Sequence, residues 1–267
     1  MNGFPWLTVA GAVPLAGGLV LALIPGLPAD SAEADRQARD RLAKMLALGF
    51  SLVTLVVVII IAVRFQVGGP NYQFTEVYSW IPAFGVHYAL GVDGIALVLI
   101  LMSVVLMPVV ILASWHDAEG SAAAGGTTPP ARPRHSVKTY FSLMLVLETM
   151  MIGVFAATDV FLFYVFFEAM LVPMYFMIGS YGVGKRQYAA VKFLLYSLLG
   201  GLLMLVAVIA LYVYSTESAV TGHHGTFLFN VLVHVPLSPT VQKWLFLGFF
   251  IAFAIKAPLC WSPCCWW

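Results

Sequence analysis

Four ionisable residues stand where the chain is otherwise apolar: Glu148 in "LMLVLETMMIG", Glu168 in "FYVFFEAMLVPMYF", Lys192 in "YAAVKFLLYS" and Lys256 in "FFIAFAIKAPL". A charge at the centre of a membrane helix costs about 2.5–3.5 kcal/mol on insertion scales, so such residues face protein or water and mark paths for ions or protons. Glu168 and Lys256 are each followed by a helix-breaking proline, Pro173 and Pro258. A proline removes one N–H and frees the carbonyl four residues back, here at Ala169 and Ala254. Irregular backbone at membrane depth is tolerated where it is buried in protein or lines a wet cavity. Two buried charges beside weakened helices therefore read as parts of a conduction path. The other two also admit plainer readings. Lys192 can snorkel to the membrane interface, and Glu148 can be a protonated acid hydrogen-bonded to a neighbouring helix.

The chemistry of such a pair follows from desolvation. Burial disfavours charge on either group, and each steadies the charge of the other when they approach. Held beside Glu168, Lys256 keeps its proton; drawn apart, it releases it. Lysine suits a gated carrier because its proton affinity moves readily on burial. The cysteines offer no comparable chemistry. Cys260, Cys264 and Cys265 all fall in the last eight residues, two of them adjacent, without the spacing of a disulfide framework or a zinc site.

The elements that must position these groups are membrane helices. Of 267 residues, 61% are hydrophobic and only 9% charged, far below the charge content of a soluble domain. The net charge of +1 argues against a nucleic-acid partner. No Lys or Arg precedes Arg36, and the first apolar run is too long for the core of a cleaved signal peptide. Runs long enough to cross a bilayer predict about seven helices, near 4–24, 45–63, 90–114, 139–156, 160–179, 189–214 and 243–260. The fold class expected is thus all-α, a polytopic transmembrane bundle in the lipid bilayer.

The connections carry their own signals. Asp93 in "GVDGIAL" can cap the third helix. "TDV", Thr158 to Val160, leaves so short a link that helices four and five must be antiparallel neighbours. Residues 65–89 mix β-branched, aromatic and turn types, as a hairpin or an interfacial cap would. Residues 117–135, rich in Gly, Ala and Pro, read as a flexible loop. Nine basic residues (Arg36, Arg39, Arg41, Lys44, Arg132, Arg134, Lys138, Lys185 and Arg186) fall on one side of the bundle. Only Arg64 and Lys243 fall on the other. The positive-inside rule then places the odd-numbered loops in the cytoplasm and the N-terminus outside.

Four segments, "GVDGIALVLILM", "GVFAATDVFLFYVFFEAMLVPMYFMIGSYG", "RQYAAVKFLLYSLLGGLLMLVAVIALY" and "FLGFFIAFAIKAPL", together resemble the antiporter-like membrane subunits of proton-pumping NADH–quinone oxidoreductase, respiratory complex I. The "FEAMLVPMYF" form is similar to the subunit M or chain 4 type. The resemblance implies that Glu168 is the fifth-helix glutamate that pairs electrostatically with the helix-seven lysine, Lys256. It places Lys192 in the "AAxKF" motif and Glu148 at a carboxylate common in bacterial members. It implies proton translocation without redox chemistry or cofactor in this chain, with FMN, iron–sulfur clusters, NADH and quinone handled elsewhere in the complex. The implied partners are other membrane-arm subunits (types L, N and K), and the implied location is the bacterial inner membrane. Sodium/proton antiporter and membrane-bound hydrogenase subunits share the same glutamate and lysine and stay open as an alternative, as does a fragment without activity.

Family members run to about fourteen helices in two inverted repeats, so the expectation is an incomplete version of that fold. Residues 1–89 would hold two helices and an external loop, 90–259 a partial proton-translocating unit (helices three to seven), and 260–267 an aberrant tail. "CWSPCCWW" replaces the family's usual continuation, as a truncation or frameshift would produce.

Overall fold

The computed structural model describes residues 4–25, 33–115, 136–182, 184–218 and 224–256. The expected loop at 117–135, Pro258 and the cysteine-bearing tail lie outside the described residues. The described residues are dominated by helices, with one two-stranded sheet among them.

Helix α1 (Trp6–Leu23) lies chiefly against α4 (Val137–Ala156) and α2 (Glu33–Arg64). The α1–α4 approach depends on a glycine. A Cβ on Gly18 would stand 3.1 Å from the Ser142 carbonyl oxygen and 3.0 Å from a methyl of Val146. The bare backbone instead lets the Ser142 hydroxyl donate to the Gly18 carbonyl at 2.7 Å. Helix α2 begins at Glu33, well before the expected 45. Its first turns, "EADRQARDRLAKML", combine charges with strong helix formers, and a search for apolar length alone passes over such a stretch.

Residues 65–89 resolve as the hairpin. Strands β1 (Gln73–Ile81) and β2 (Val86–Val92) pair antiparallel, with Val77 opposite Ala89, Tyr78 opposite Tyr88 and Ser79 opposite His87. The hairpin is tied to the bundle through Glu76, whose carboxylate accepts the Leu7 N–H at 2.8 Å and a hydrogen bond from the Thr8 hydroxyl. It satisfies otherwise orphaned donors in the first turn of α1 and meets the positive end of the helix dipole. Helix α3 (Gly94–Ala113) follows, capped as expected by Asp93, whose side chain accepts the Ala96 N–H at 2.7 Å.

The expected fifth helix is two pieces, α5 (Val160–Ala169) and α6 (Leu171–Tyr181), separated at Met170. Then come α7 (Arg186–Glu217), the single-turn α8 (Phe229–Leu232) and α9 (Pro239–Lys256). Among the described residues, six helical segments are long and apolar enough to cross a membrane, counting α5 and α6 as one. Helix α9 occupies the place of the expected seventh. With Gln242 and Lys243 in its first turns and Lys256 as its last described residue, it is not among those six.

One core cluster gathers Leu7, Val58, Val92, Ile100 and Ile152 under the hairpin; a second joins Leu21, Ala47, Ile111 and Phe141. A third, of Phe167, Met204, Val208, Phe227 and Ala252, knits α5 to α7 and α9. Large apolar side chains such as Ile95, Val98, Met102, Leu202 and Val206 face outward, as a lipid-facing surface requires.

Candidate functional site

Helix α5 is aimed by Asp159. This residue is 1% exposed, and its Oδ1 accepts the N–H groups of Phe161 (2.9 Å) and Leu162 (3.0 Å), capping the helix. Its Oδ2 accepts the His87 N–H of β2 at 3.0 Å. Burial pushes the Asp159 carboxyl up from its ordinary value, against the pull of these three donors. The cap fixes where α5 starts and therefore the depth of Glu168, nine residues on and about 14 Å along the axis at 1.5 Å per residue.

Glu168 is the penultimate residue of α5, two residues before the break at Met170. Pro173, in the first turn of α6, has no N–H to offer the Ala169 carbonyl and crowds it, so the break falls where that carbonyl loses its partner. Lys256 reaches this spot from α9. Its ammonium donates to the Phe167 carbonyl at 2.5 Å and sits 3.2 Å from the centroid of the Phe167 ring. Phe167 is held in turn by Phe163 and Phe253, at centroid distances of 5.7 and 5.6 Å. The Phe167 carbonyl belongs to the last turn of α5, where carbonyls lack a full set of intrahelical partners and the helix dipole is negative. A cation is favoured there, and the aromatic face adds a cation–π contribution.

Glu168 and Lys256 are close enough to interact electrostatically. The lysine's hydrogen bond nevertheless goes to the backbone beside the glutamate, and Oε1 of Glu168 is buried with no hydrogen-bond partner. The carboxylate rests against α7 at Gly201, where a Cβ would fall on its oxygens.

The other two expected site residues stand apart from this junction. Glu148 lies in the middle of α4, 0% exposed, and neither carboxyl oxygen has a hydrogen-bond partner. Both oxygens are thus open to a water or a proton, and burying a carboxylate without a partner costs several kcal/mol. Lys192 is half-buried, six residues into α7, with its ammonium 6.0 Å from the centroid of the Tyr188 ring. It lies about 14 Å along α7 from Gly201, nine residues at 1.5 Å each. Of the two prolines, Pro173 sits at the α5–α6 break, and Pro258 lies outside the described residues.

Several residues that shape this junction escape a reading of the sequence alone. Gly201 carried no signal beyond an unusual pair of glycines inside a helix. Phe167 looked like one apolar residue among many, since only the fold reveals that Lys256 lies over its ring. Asp159 had a readable signal, an Asp directly before an apolar run. Among the described residues no cluster of metal-ligating side chains is present.

Residues 157–264 match the family model described as NADH:quinone oxidoreductase/Mrp antiporter, TM. The chain is 46% identical to NADH-quinone oxidoreductase subunit M of Mycobacterium tuberculosis across 97% of its own length and 48% of that protein. It is 39% identical to subunit M of Rhodobacter capsulatus, across 95% of this chain and 45% of that one. Among solved structures it superposes on respiratory complex I from Thermus thermophilus with a TM-score of 0.70, at 27% identity, covering 95% of this chain and 44% of that one. The chain spans about half the length of the curated relatives it matches.

Proposed function

We propose, from its similarity over about half their length to NADH-quinone oxidoreductase subunit M and chain 4 proteins, that this chain moves protons as an antiporter-like membrane subunit of such a complex. In this reading, redox chemistry takes place in partner subunits, and this chain contributes proton-carrying side chains. Glu168 and Lys256 form the switchable pair, with Glu148 and Lys192 as further proton-path residues. Residues 90–259 act as the translocating unit, and residues 1–89 support it. The partners are other membrane-arm subunits, of types L, N and K, in a bacterial inner membrane with the N-terminus outside.

One observation carries the proposal: Lys256 docks at the C-terminal turn of α5, on the carbonyl next to Glu168, where Met170 and Pro173 interrupt the helix. A hinge at Met170 alters the separation of carboxylate and ammonium, and with it how firmly Lys256 holds its proton. The chemistry needs no covalent step. A proton enters on one side of the pair and leaves on the other as the pair opens and closes.

The test uses the full-length subunit in its complex, in inverted membrane vesicles, with NADH oxidation and proton uptake measured in parallel. Glu168→Gln and Lys256→Ala should each lower proton uptake per NADH oxidised while the complex still assembles. Unchanged uptake in both variants would overturn the assignment. Sodium-dependent proton uptake without NADH oxidation would instead favour the cation/proton antiporter reading.

A further inference from the structure

Helix α7 carries two consecutive glycines at its midpoint, an arrangement that weakens a helix interior and calls for a packing reason. Both are buried, and each meets a different partner. A Cβ on Gly200 would lie 3.3–3.4 Å from atoms of Ile255 and Ala252 on α9, a tight fit that small shifts can absorb. A Cβ on Gly201 would land on the Glu168 carboxylate itself, with all three of its nearest neighbours in that group. Oε1 has no hydrogen-bond partner that could otherwise hold it in place.

We propose that Gly201 is a positioning residue for proton transfer. The missing side chain leaves a recess in α7 that seats the Glu168 carboxylate at the depth of Lys256. The inference rests on the reading of Glu168 as a proton carrier. It adds that the carboxylate's place is set by excluded volume on a neighbouring helix, as no donor holds Oε1. A methyl group at 201 displaces the carboxylate from this place and changes its separation from the ammonium. Since a misplacement of about 1 Å can cost about a hundredfold in rate, one methyl suffices to matter. The helix itself gains from alanine in place of glycine, so lost function in such a variant does not come from lost helicity.

The experiment compares Gly200→Ala, Gly201→Ala, Glu168→Asp and the double variant Glu168→Asp/Gly201→Ala in the assembled full-length complex, reading proton uptake per NADH oxidised alongside the amount of complex in the membrane. Gly201→Ala should lower uptake about tenfold or more at normal assembly, and Gly200→Ala should stay within about twofold of wild type because its neighbours can shift. The aspartate is shorter by one methylene, close to the volume the alanine adds. The double variant should therefore pump better than Gly201→Ala alone, a rescue that general damage to packing does not produce. Gly201→Ala pumping like wild type overturns the proposal, as does a double variant no better than Gly201→Ala. Should Gly201→Ala fail to assemble, the double variant decides: assembled and pumping supports the recess, assembled and idle overturns it. Glu168→Gln, run in parallel, separates the two levels of the argument. Normal uptake there removes the proton-carrier reading, whereas lost uptake there with a normal Gly201→Ala removes only the recess.

Discussion

Removing the Asp159 carboxylate is expected to loosen the start of α5 and, through it, the junction where Glu168 and Lys256 meet. In Asp159→Ala the N–H groups of Phe161 and Leu162 lose the acceptor they share, and loss of such a cap costs about 1 kcal/mol. The His87 N–H, now bonded to Oδ2 at 3.0 Å, is left without an acceptor in a part-buried setting, which costs about 1–3 kcal/mol. Together these give about 2–4 kcal/mol. In Asp159→Asn the amide oxygen can keep the cap, but its NH2 group then faces the His87 N–H, donor to donor. Only the second cost applies, about 1–3 kcal/mol, offset in part because the neutral amide escapes the burial penalty that pushes the Asp159 carboxyl up. The order of stability should therefore be wild type, then Asn, then Ala. Denaturant unfolding of the detergent-solubilised protein, followed by helical circular dichroism, reads the three values directly. An alanine variant within about 0.5 kcal/mol of wild type, the range of ordinary surface changes, would refute the reasoning. So would an asparagine variant less stable than the alanine one.

Two further substitutions test how α1 is held. Gly18→Leu forces side-chain atoms into the Ser142–Val146 backbone of α4 and should cost about 1–3 kcal/mol by overpacking, whereas Gly11→Ala, with nothing within 4 Å of its Cβ, should be neutral or slightly stabilising in the same unfolding assay. Glu76→Ala strips the acceptor from Leu7 and Thr8 and should cost about 1–2 kcal/mol. Amide hydrogen exchange at those two positions should speed up, while exchange in α7 stays as it was.

How much of this was legible beforehand depended on whether the signal was local. Apolar runs longer than a bilayer is thick announce helices whatever they pack against, so the bundle could be read directly, and "GVDGIAL" exposed its cap because Asp93 and its Ala96 partner lie three residues apart. The start of α2 was missed because its first turns are helical by propensity while polar in composition, and a hydropathy window sees only composition. Pro173 pointed to the carbonyl that the break frees, yet the two short helices that result, parted at Met170, depend on what lies against them. Glu76 gave no hint of its role, because its partners Leu7 and Thr8 are almost seventy residues earlier in the chain.

The junction of α5, α7 and α9 illustrates why the long-range part of a site is the harder part. Glu168 and Lys256 stood out because ionisable residues are costly in apolar helices. The groups that lie against them, the Phe167 carbonyl and ring and the bare backbone at Gly201, carry no charge, and only the glycine pair departs from the usual composition of a helix interior. They matter through position alone. The C-terminal turn of α5 presents partial negative charge to Lys256 whether or not Glu168 is ionised, so the lysine has a resting place independent of its partner's protonation. Under the proposed function, the carboxylate, which lies against Gly201 with Oε1 unbonded, would adjust how strongly the ammonium is held without having to anchor it. In that proposal the separation of anchor from regulator matters, because a direct hydrogen-bonded ion pair at low dielectric would bind too tightly to open on each cycle. The Phe167 ring tests that division of labour. Phe167→Leu keeps most of the apolar volume and the carbonyl, so Lys256 should still dock, but it loses the cation–π contribution of about 2 kcal/mol for a desolvated site. The variant complex should therefore assemble normally yet pump with an altered dependence on pH, and a pH profile superimposable on that of the wild type would show that the ring only fills space.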